Sequence, residues 1–580
     1  MNYELINEIK YDPITQIFIN RGFNENNIDR YIHIGEEEVF DPELLENIRD
    51  GAKMLASHLL NESKIFIVID SDADGYTSSA LLINYLLQIA PSAKERIFYG
   101  IHEGKEHGII LDMIPKDVKL VITPDSASNN IEEHKNLREQ GVDILVLDHH
   151  HCEEVSPHAC IINNQTCDYP NKDLSGAGIV YKLCCYIDSL LGKDIAKNYV
   201  DLAALGIISD MMVVTTFENR YIINEGLHNI KNPFFTAMCE KNNYQLTLEG
   251  PEYSPRGISF YVTPYINAMV RSGTQEQKEL LFKSMLEHEA YNLIPSTKRG
   301  CKGQEETLVT QAIRTCANVK KHQDDAKKEE MVKVEKIIQD NNLLDNKILV
   351  VKLTEYIEKN LVGLIANQLM GKYNKPVILL NKYETETGEQ WSGSARNVPN
   401  SRLTDLRQYV ADSPWSEYAE GHPSAFGTSF SLNGVDLFIE ESNQELKDLD
   451  FSPIYKVDFI YEGNDINVQN DILSIQTLYP FWGQDFGEAR VAIKNIKITK
   501  DNITLMARDR NPTLKIVLPS GVELIKFGFS EEEYEKLLPE ANKAVYISAV
   551  GTCGRNEYMG KVSGQVKLEE YEINEIQYDF

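Results

Sequence analysis

The stretch KIFIVIDSDADGYTSSALLINYLL, Lys64 to Leu87, decides how the chain is read. A short apolar run rich in β-branched residues ends in aspartates at alternate positions, Asp70, Asp72 and Asp74, followed by a glycine and a helical pattern. Like charges this close repel, and taking them out of water is costly. A chain that sets them at the end of a buried strand needs something positive there, and hard carboxylate oxygens suit Mg2+ or Mn2+. A surface turn is the plain alternative, because Asp and Gly are common turn residues. An EF-hand loop is excluded, since Leu81 stands where that loop needs its glutamate.

The same grammar recurs. KLVITPD ends at Asp125, and VDILVLD ends at Asp148 and runs into His149, His150 and His151. Helical patterns such as SSALLINYLLQI and IEEHKNLREQ lie between these runs. Strand–helix alternation predicts an α/β fold, a parallel sheet with helices on its faces. Ligands of such sheets bind beyond the carboxyl ends of the strands, so the aspartates are expected to converge. Carboxylates with a minority of imidazole favour Mn2+ or Mg2+ over a structural zinc. SGAGIVYKLCCYIDSLL and NYVDLAALGIISDMM read as helices with apolar faces, the second carrying Asp201 near its start and Asp210 at its end.

Further along, residues from about 275 to 345 read as long charged helices, and a second α/β unit opens near Asn346 with KILVVKL, LVGLIANQLMGKY and KPVILLN. From about 450 short alternating segments, among them VAIKNIKIT, KAVYISAV and GKVSGQVKLEEYEI, predict a small β-barrel. A length of 580 residues fits three or four domains. With 42% hydrophobic and 25% charged residues the composition is that of a soluble globular protein. No apolar run approaches the roughly 20 residues of a membrane span. The N-terminal MNYELINEIKYDP lacks the pattern of a signal peptide. Nine scattered cysteines without a CxxC pair predict reduced thiols in a cytoplasm.

The net charge of −30 argues against a general polyanion binder, so any nucleic-acid contact must be a local groove or run through a metal. One segment runs against the acidic trend: Lys298 to Lys336 includes Lys302, Arg314, Lys320, Lys321, Lys327, Lys328 and Lys333. It reads equally as a nucleic-acid path or as a solvated helix face. Cys152, His158, Cys160 and Cys167 form a rival zinc candidate, but their spacing matches no zinc knuckle and Cys160 falls within the apolar run ACIIN. The aromatics Tyr479, Phe481 and Trp482 could stack on bases, although core packing is the ordinary role of such residues.

DSDADG, PDSAS, LDHHH, SGAG and DLAALGIISD occur in this order. The set resembles the successive motifs of the DHH phosphoesterase superfamily, specifically the RecJ-like single-strand-specific exonucleases. EKNLVGLIANQLMGKYNKPVILL looks like the start of that family's DHHA1 domain, WSGSARN its Ser-Gly-Arg segment, and EGHPSAFG its Gly-Gly-His motif. IQTLYPFWGQDFGEA is similar to the entry into the family's oligonucleotide-binding (OB) barrel. The resemblance implies an N-terminal helical extension over 1–60, a DHH domain over 61–240, connecting helices over 241–345, a DHHA1 domain over 346–448 and an OB-type barrel over 449–580.

It implies two divalent ions, Mn2+ or Mg2+. Asp72 would bind one and Asp74 the other, Asp125 would bridge them, and His149 and Asp210 would complete the shell. Asp70 and Asp148 would be ligands or supports, and His150 would face the scissile phosphate. Arg271 takes the place of a family arginine near the nucleotide path. Ser394 and Arg396 resemble residues that hold the terminal 5′ phosphate, and His422 matches the histidine of the Gly-Gly-His motif, a substrate- or phosphate-binding position. There are departures: Ser126 and Ala127 follow Asp125 where the family has Asn-Gly, Glu420 replaces the first glycine of Gly-Gly-His, and His102 stands where an arginine is usual.

The expected activity is metal-dependent 5′-to-3′ hydrolysis of single-stranded DNA in repair, recombination or replication. The chain would work as a monomer, with a single-strand-binding protein or a helicase as partner. A phosphodiesterase of short oligonucleotides or cyclic dinucleotides is the enzymatic alternative, though such proteins generally lack the barrel. A non-catalytic replication or repair scaffold is the other, though such relatives tend to lose ligand residues.

Overall fold

Strand β1 (Ile65–Ile69) is apolar and buried at every position. Such a strand must be covered on both faces, which helices do in a parallel sheet. Its companions are β2 (Ile97–Ile101), β3 (Leu120–Pro124), β4 (Asp143–Asp148) and β5 (Cys160–Asn163). They lie in the spatial order β2-β1-β3-β4-β5, with every neighbouring pair parallel. The chain leaves β1 to one side to make β2 and crosses over to make β3. The sheet therefore reverses its winding between β1 and β3, and that switch point opens a crevice at their carboxyl ends. Asp70 follows β1, Asp125 follows β3 and Asp148 closes β4.

Three helices frame the crevice. Helix α1 (Ala73–Ile89) starts on Asp72, whose Oδ1 accepts the Gly75 amide at 3.0 Å. Helix α2 (Gly176–Leu191) starts on Ser175, whose hydroxyl accepts the Gly178 amide at 3.3 Å, and ends at Gly192 in the left-handed region (φ 61°). Helix α3 (Val200–Ser209) ends just before Asp210.

The computed structural model describes residues 1–103, 106–385, 388–399, 401–507, 511–540 and 543–578. They fall into two compact units. One comprises Tyr11–Lys320 and Ser474–Glu488, the other Met1–Lys10, Lys321–Leu473 and Ala489–Phe580. The short return segment belongs to the first unit because its aromatics enter that core. Phe481 and Phe486 lie 6.0 and 5.1 Å from Phe18, and the Arg220 guanidinium sits 4.2 Å from the Phe481 ring centre. Tyr479, Phe481 and Trp482 are accordingly buried, which is the packing role and not the stacking one.

In the second unit, β6 (Leu349–Lys352), β7 (Val377–Thr385), β8 (Gly388–Arg396), β9 (Ser416–His422) and β10 (Ala425–Ser431) make a mixed sheet in the order β9-β10-β8-β7-β6. Helix α4 (Lys359–Tyr373) packs on it. Beyond it runs a seven-stranded mixed sheet that begins at Phe459–Glu462 and ends in the long hairpin of Lys543–Tyr558 and Lys561–Tyr578. Met559 and Gly560, both at positive φ (51° and 76°), turn that hairpin. Phe459–Glu462 and Ile503–Met506 end the strand order, so closure into an OB barrel is not among the pairings of the described residues.

Two features lay outside the sequence reading. Asn2–Leu5 is a strand paired in parallel with Ile454–Val457, so the first residues are not helical. A small hairpin, Leu293–Pro295 with Glu305–Thr307, interrupts the connecting helices before the 33-residue helix Leu308–Asp340. The basic run on that helix is partly paired: Arg314 with Glu306, Lys327 with Asp324 at 3.6 Å and Lys333 with Glu330 at 2.8 Å. No helix among the described residues is long and apolar enough to cross a membrane.

Candidate metal centre

The switch point collects the acids. Asp70, Asp72 and Asp125 bring one carboxylate oxygen each to within 4.8 Å of one another; Asp74, His149 and Asp210, and likewise Asp125, His149 and His150, bring one carboxylate oxygen or ring nitrogen each to within the same distance. Asp125 and His149 each belong to two of these groups, so the cluster is continuous.

Each side chain is aimed by its surroundings. Asp70 is 2% exposed; its Oδ2 lies 2.8 Å from His107 Nδ1, and its Oδ1 takes the Gly108 amide at 3.4 Å. Asp74 accepts three donors from the start of α2: the Ser175 hydroxyl at 3.0 Å and the Gly176 and Ala177 amides at 2.6 and 3.1 Å. This explains SGAG. A Cβ on Gly176 would lie 2.5 Å from Asp125 Cβ, so only glycine lets that helix end touch the β3 loop. Gly206 of α3 has the same role, with Asp74 Oδ1 only 2.2 Å from where its Cβ would be.

Asp125 sits in the left-handed region (φ 64°), and so does Ala127 (φ 81°) where the family carries a glycine. Asp125 is 1% exposed, and neither carboxylate oxygen accepts a hydrogen bond. His149 Nε2 lies 3.2 Å from Asp125 Oδ1 and 3.3 Å from Asp210 Oδ2, and it too makes no hydrogen bond.

Asp148 is differently placed. It accepts the Ser128 amide at 3.0 Å, the His149 and His150 amides at 2.8 and 3.2 Å, and His150 Nδ1 at 2.8 Å. It is thus a bracket that holds the two histidines, while His150 points its outer edge at solvent.

The titration pattern follows from this geometry. Burial, then repulsion from Asp74, Asp72, Asp210 and Asp70, pushes the Asp125 carboxyl well above its ordinary value. Burial and the neighbours Asp74 and Asp72 push Asp210 up to about 8, and burial raises Asp72 and Asp74. Burial and the neighbouring His150 cation lower His149 to about 4, which leaves a neutral ring with a lone pair on Nε2. At Asp148 burial is outweighed by the His150 hydrogen bond and its fellows, and the carboxyl is held below the usual range. That same bond raises His150 to about 9.

Buried acids that repel one another, beside acceptor atoms without donors, are the signature of a cation site. Hard oxygens with a minority of imidazole fit Mn2+ or Mg2+. A cavity of about 390 Å³ opens over the cluster, lined by Asp70, His107, Asp125, Ser128, Asp148 and His150 among others.

The remaining candidates lie elsewhere. Arg271 is exposed in the last turn of Thr263–Ser272, in the same unit as the cluster. Ser394, Arg396 and His422 lie on the second unit's sheet. Arg396 and His422 both pair with Ala425, and Ser394 and Glu420 both pair with Gly427, so all four side chains share one face. Ser394 and Arg396 also flank Gly363 of α4: a Cβ there would meet Arg396 Nη2 at 2.7 Å and Ser394 Oγ at 3.6 Å. Glu420 puts a carboxylate on this face.

The rival zinc set is not assembled. Cys152 faces the Glu154 carbonyl at 3.4 Å, Cys160 that of Asn47 at 3.8 Å and Cys167 that of Asn163 at 3.4 Å. His107 escaped sequence reasoning. It lies in a loop and carries no spacing signal, and only the fold brings it to Asp70.

Sheet and cluster together define a class, the DHH-type α/β proteins: the family model described as "DHH family, N-terminal domain" matches residues 64–207. The chain is 34% identical over 578 residues, covering 99% of it and 98% of the relative, to a SPbeta prophage-derived protein of Bacillus subtilis (strain 168), YorK. That relative is provisionally named a single-strand DNA-specific exonuclease. It is 24% identical over 577 residues to the single-stranded-DNA-specific exonuclease RecJ of the same bacterium, covering 97% of the chain and 68% of RecJ. Crystallised RecJ of Thermus thermophilus in complex with Mn2+ superposes with a TM-score of 0.70 at 18% identity, covering 98% of this chain and 76% of that one. At that identity the match speaks to the fold. The chain belongs to the RecJ-like branch of the DHH family.

Proposed function

We propose that the chain is a metal-dependent exonuclease that hydrolyses single-stranded DNA from the 5′ end. The observation that carries this is the continuous cluster of Asp70, Asp72, Asp74, Asp125, His149 and Asp210, whose overlapping groups share Asp125 and His149. Divalent ions held there would supply an activated water and neutralise the phosphodiester. In this reading Asp72 and Asp74 would hold separate ions and Asp125 would contribute to both. The neutral His149 gives its Nε2 lone pair, and Asp148 keeps His150 a cation beside the reacting phosphate. Ser394, Arg396 and His422 would receive the terminal phosphate, and Arg271 would guide the strand.

Residues 61–240 would carry the chemistry, 346–448 the 5′-end pocket and 449–580 an extension of the DNA path. The relatives named for single-strand DNA exonuclease activity support the substrate. The full acid set favours an enzyme over a scaffold. The setting would be a cytoplasm, and a single-strand-binding protein or a helicase would deliver the strand to a monomeric enzyme.

The test is digestion of a 5′-labelled single strand with Mn2+, beside a blunt duplex and a dinucleotide. Rapid loss of the single-strand label with the duplex intact is the expected result. Equal attack on the duplex, or turnover of the dinucleotide alone, contradicts it.

A further inference from the structure

At the end of α3, directly after Asp210 in the chain, lies a second cavity, of about 210 Å³. Asp210, whose carboxylate faces His149, is followed by Met211, which is 52% exposed and held at φ 57°. A side chain with a Cβ is sterically disfavoured there, and such strain gathers at ligand sites. Met211, Met212, Val214, Pro255 and Phe260 line the cavity. Phe260 is 61% exposed, and the Arg256 guanidinium lies 4.7 Å from its ring centre. Glu488 holds Arg256 at 2.9 Å, so that charge is already matched and the guanidinium is a stacking plane, not a phosphate clamp.

Single exposed apolar residues are ordinary on any surface. Here they line one cavity, and it begins one residue from a member of the acid cluster.

We propose that this cavity takes one base of the strand whose phosphodiester lies on the acid cluster, an inference that rests on the exonuclease reading. A polarisable thioether, an aromatic ring and a planar guanidinium are surfaces on which any base stacks. Recognition of this kind is tolerant of sequence, as a nuclease that consumes a whole strand requires. The aromatics of the return segment cannot do this work, because Tyr479, Phe481 and Trp482 are 8%, 8% and 1% exposed. The base sits on Met211 and Phe260 while its phosphate stays at the ions, which sets the terminal nucleotide for cleavage.

The experiment is steady-state kinetics of the full chain with Mn2+ on 5′-phosphorylated single strands. Each strand carries one tetrahydrofuran (abasic) residue, stepped through the first positions. Wild type should lose about 5- to 150-fold in kcat/KM at one position, the range of one lost stacking contact. Phe260→Ala should cost a similar factor on the intact strand, and the two losses should not multiply. Met211→Gly, which also relieves the strained backbone, should behave likewise, and Phe260→Tyr should restore the wild-type profile. Losses that multiply in both variants, or a wild type indifferent to the abasic residue at every position, overturn this site alone. A wild type inert on all single strands overturns the exonuclease reading and the site together.

Discussion

At Asp125 two costs coincide, a left-handed backbone and a buried carboxylate with no donor. Neither is tolerable unless something offsets it, and the surroundings offer only further acids and the neutral His149 ring. Asp125→Asn should therefore raise the thermal stability of the metal-free protein while abolishing cleavage. Wild type should gain about 2.7 kcal/mol at a Mn2+ concentration a hundred times the dissociation constant, and the variant should gain almost nothing. Unfolding curves with and without Mn2+ check both halves; a variant that still responds fully to Mn2+ would remove Asp125 from the centre.

His107 is the second test at this scale. Its Nδ1 steadies Asp70 at 2.8 Å, as outer partners of metal-binding side chains do. His107→Ala should weaken Mn2+ binding about 10- to 100-fold, read by titration calorimetry. His107→Asn, whose amide nitrogen stands near the Nδ1 position, should recover most of it.

Among the elements, helix Ile131–Glu139 carries a pH dependence unrelated to catalysis. His134 is buried there with no hydrogen bond to either ring nitrogen, and burial, with His158 adding to it, lowers it to about 4. The unfolded chain binds that proton near 6.5 and the folded chain only near 4. Stability is then complete above about pH 6.5 and falls as the pH drops toward 4, by up to about 3 kcal/mol. His134→Leu should flatten that slope in urea unfolding between pH 7 and pH 4; an unchanged slope would place the acid sensitivity elsewhere.

Elements are also where sequence reading succeeds and stops. The strands before Asp70, Asp125 and Asp148 are legible because a doubly covered strand must be apolar throughout, and the acids mark where that cover ends. The β2-β1-β3-β4-β5 order is not legible, because spatial neighbours leave no trace in a single chain's pattern. The pairing of Asn2–Leu5 with Ile454–Val457 is invisible for the same reason, being four residues joined across most of the chain. The buried Tyr479, Phe481 and Trp482 show the converse: aromatic residues announce a contact but not whether it is core or ligand.

For the whole molecule, a net charge of −30 confines any DNA path to local positive or metal-bearing ground. Binding of a single strand should weaken linearly in log–log terms as salt rises, with a shallow slope set by few phosphate contacts. A salt-indifferent affinity would point to a substrate that is not a polyanion.

The claim on which all else depends is that the acids at the switch point hold paired divalent ions. Anomalous diffraction from Mn2+-soaked crystals tests it most directly. Two peaks are expected, one between Asp70, Asp72 and Asp125 and one between Asp74, His149 and Asp210. No peak at saturating Mn2+, or Mn2+ bound only on the exterior acids, would contradict it.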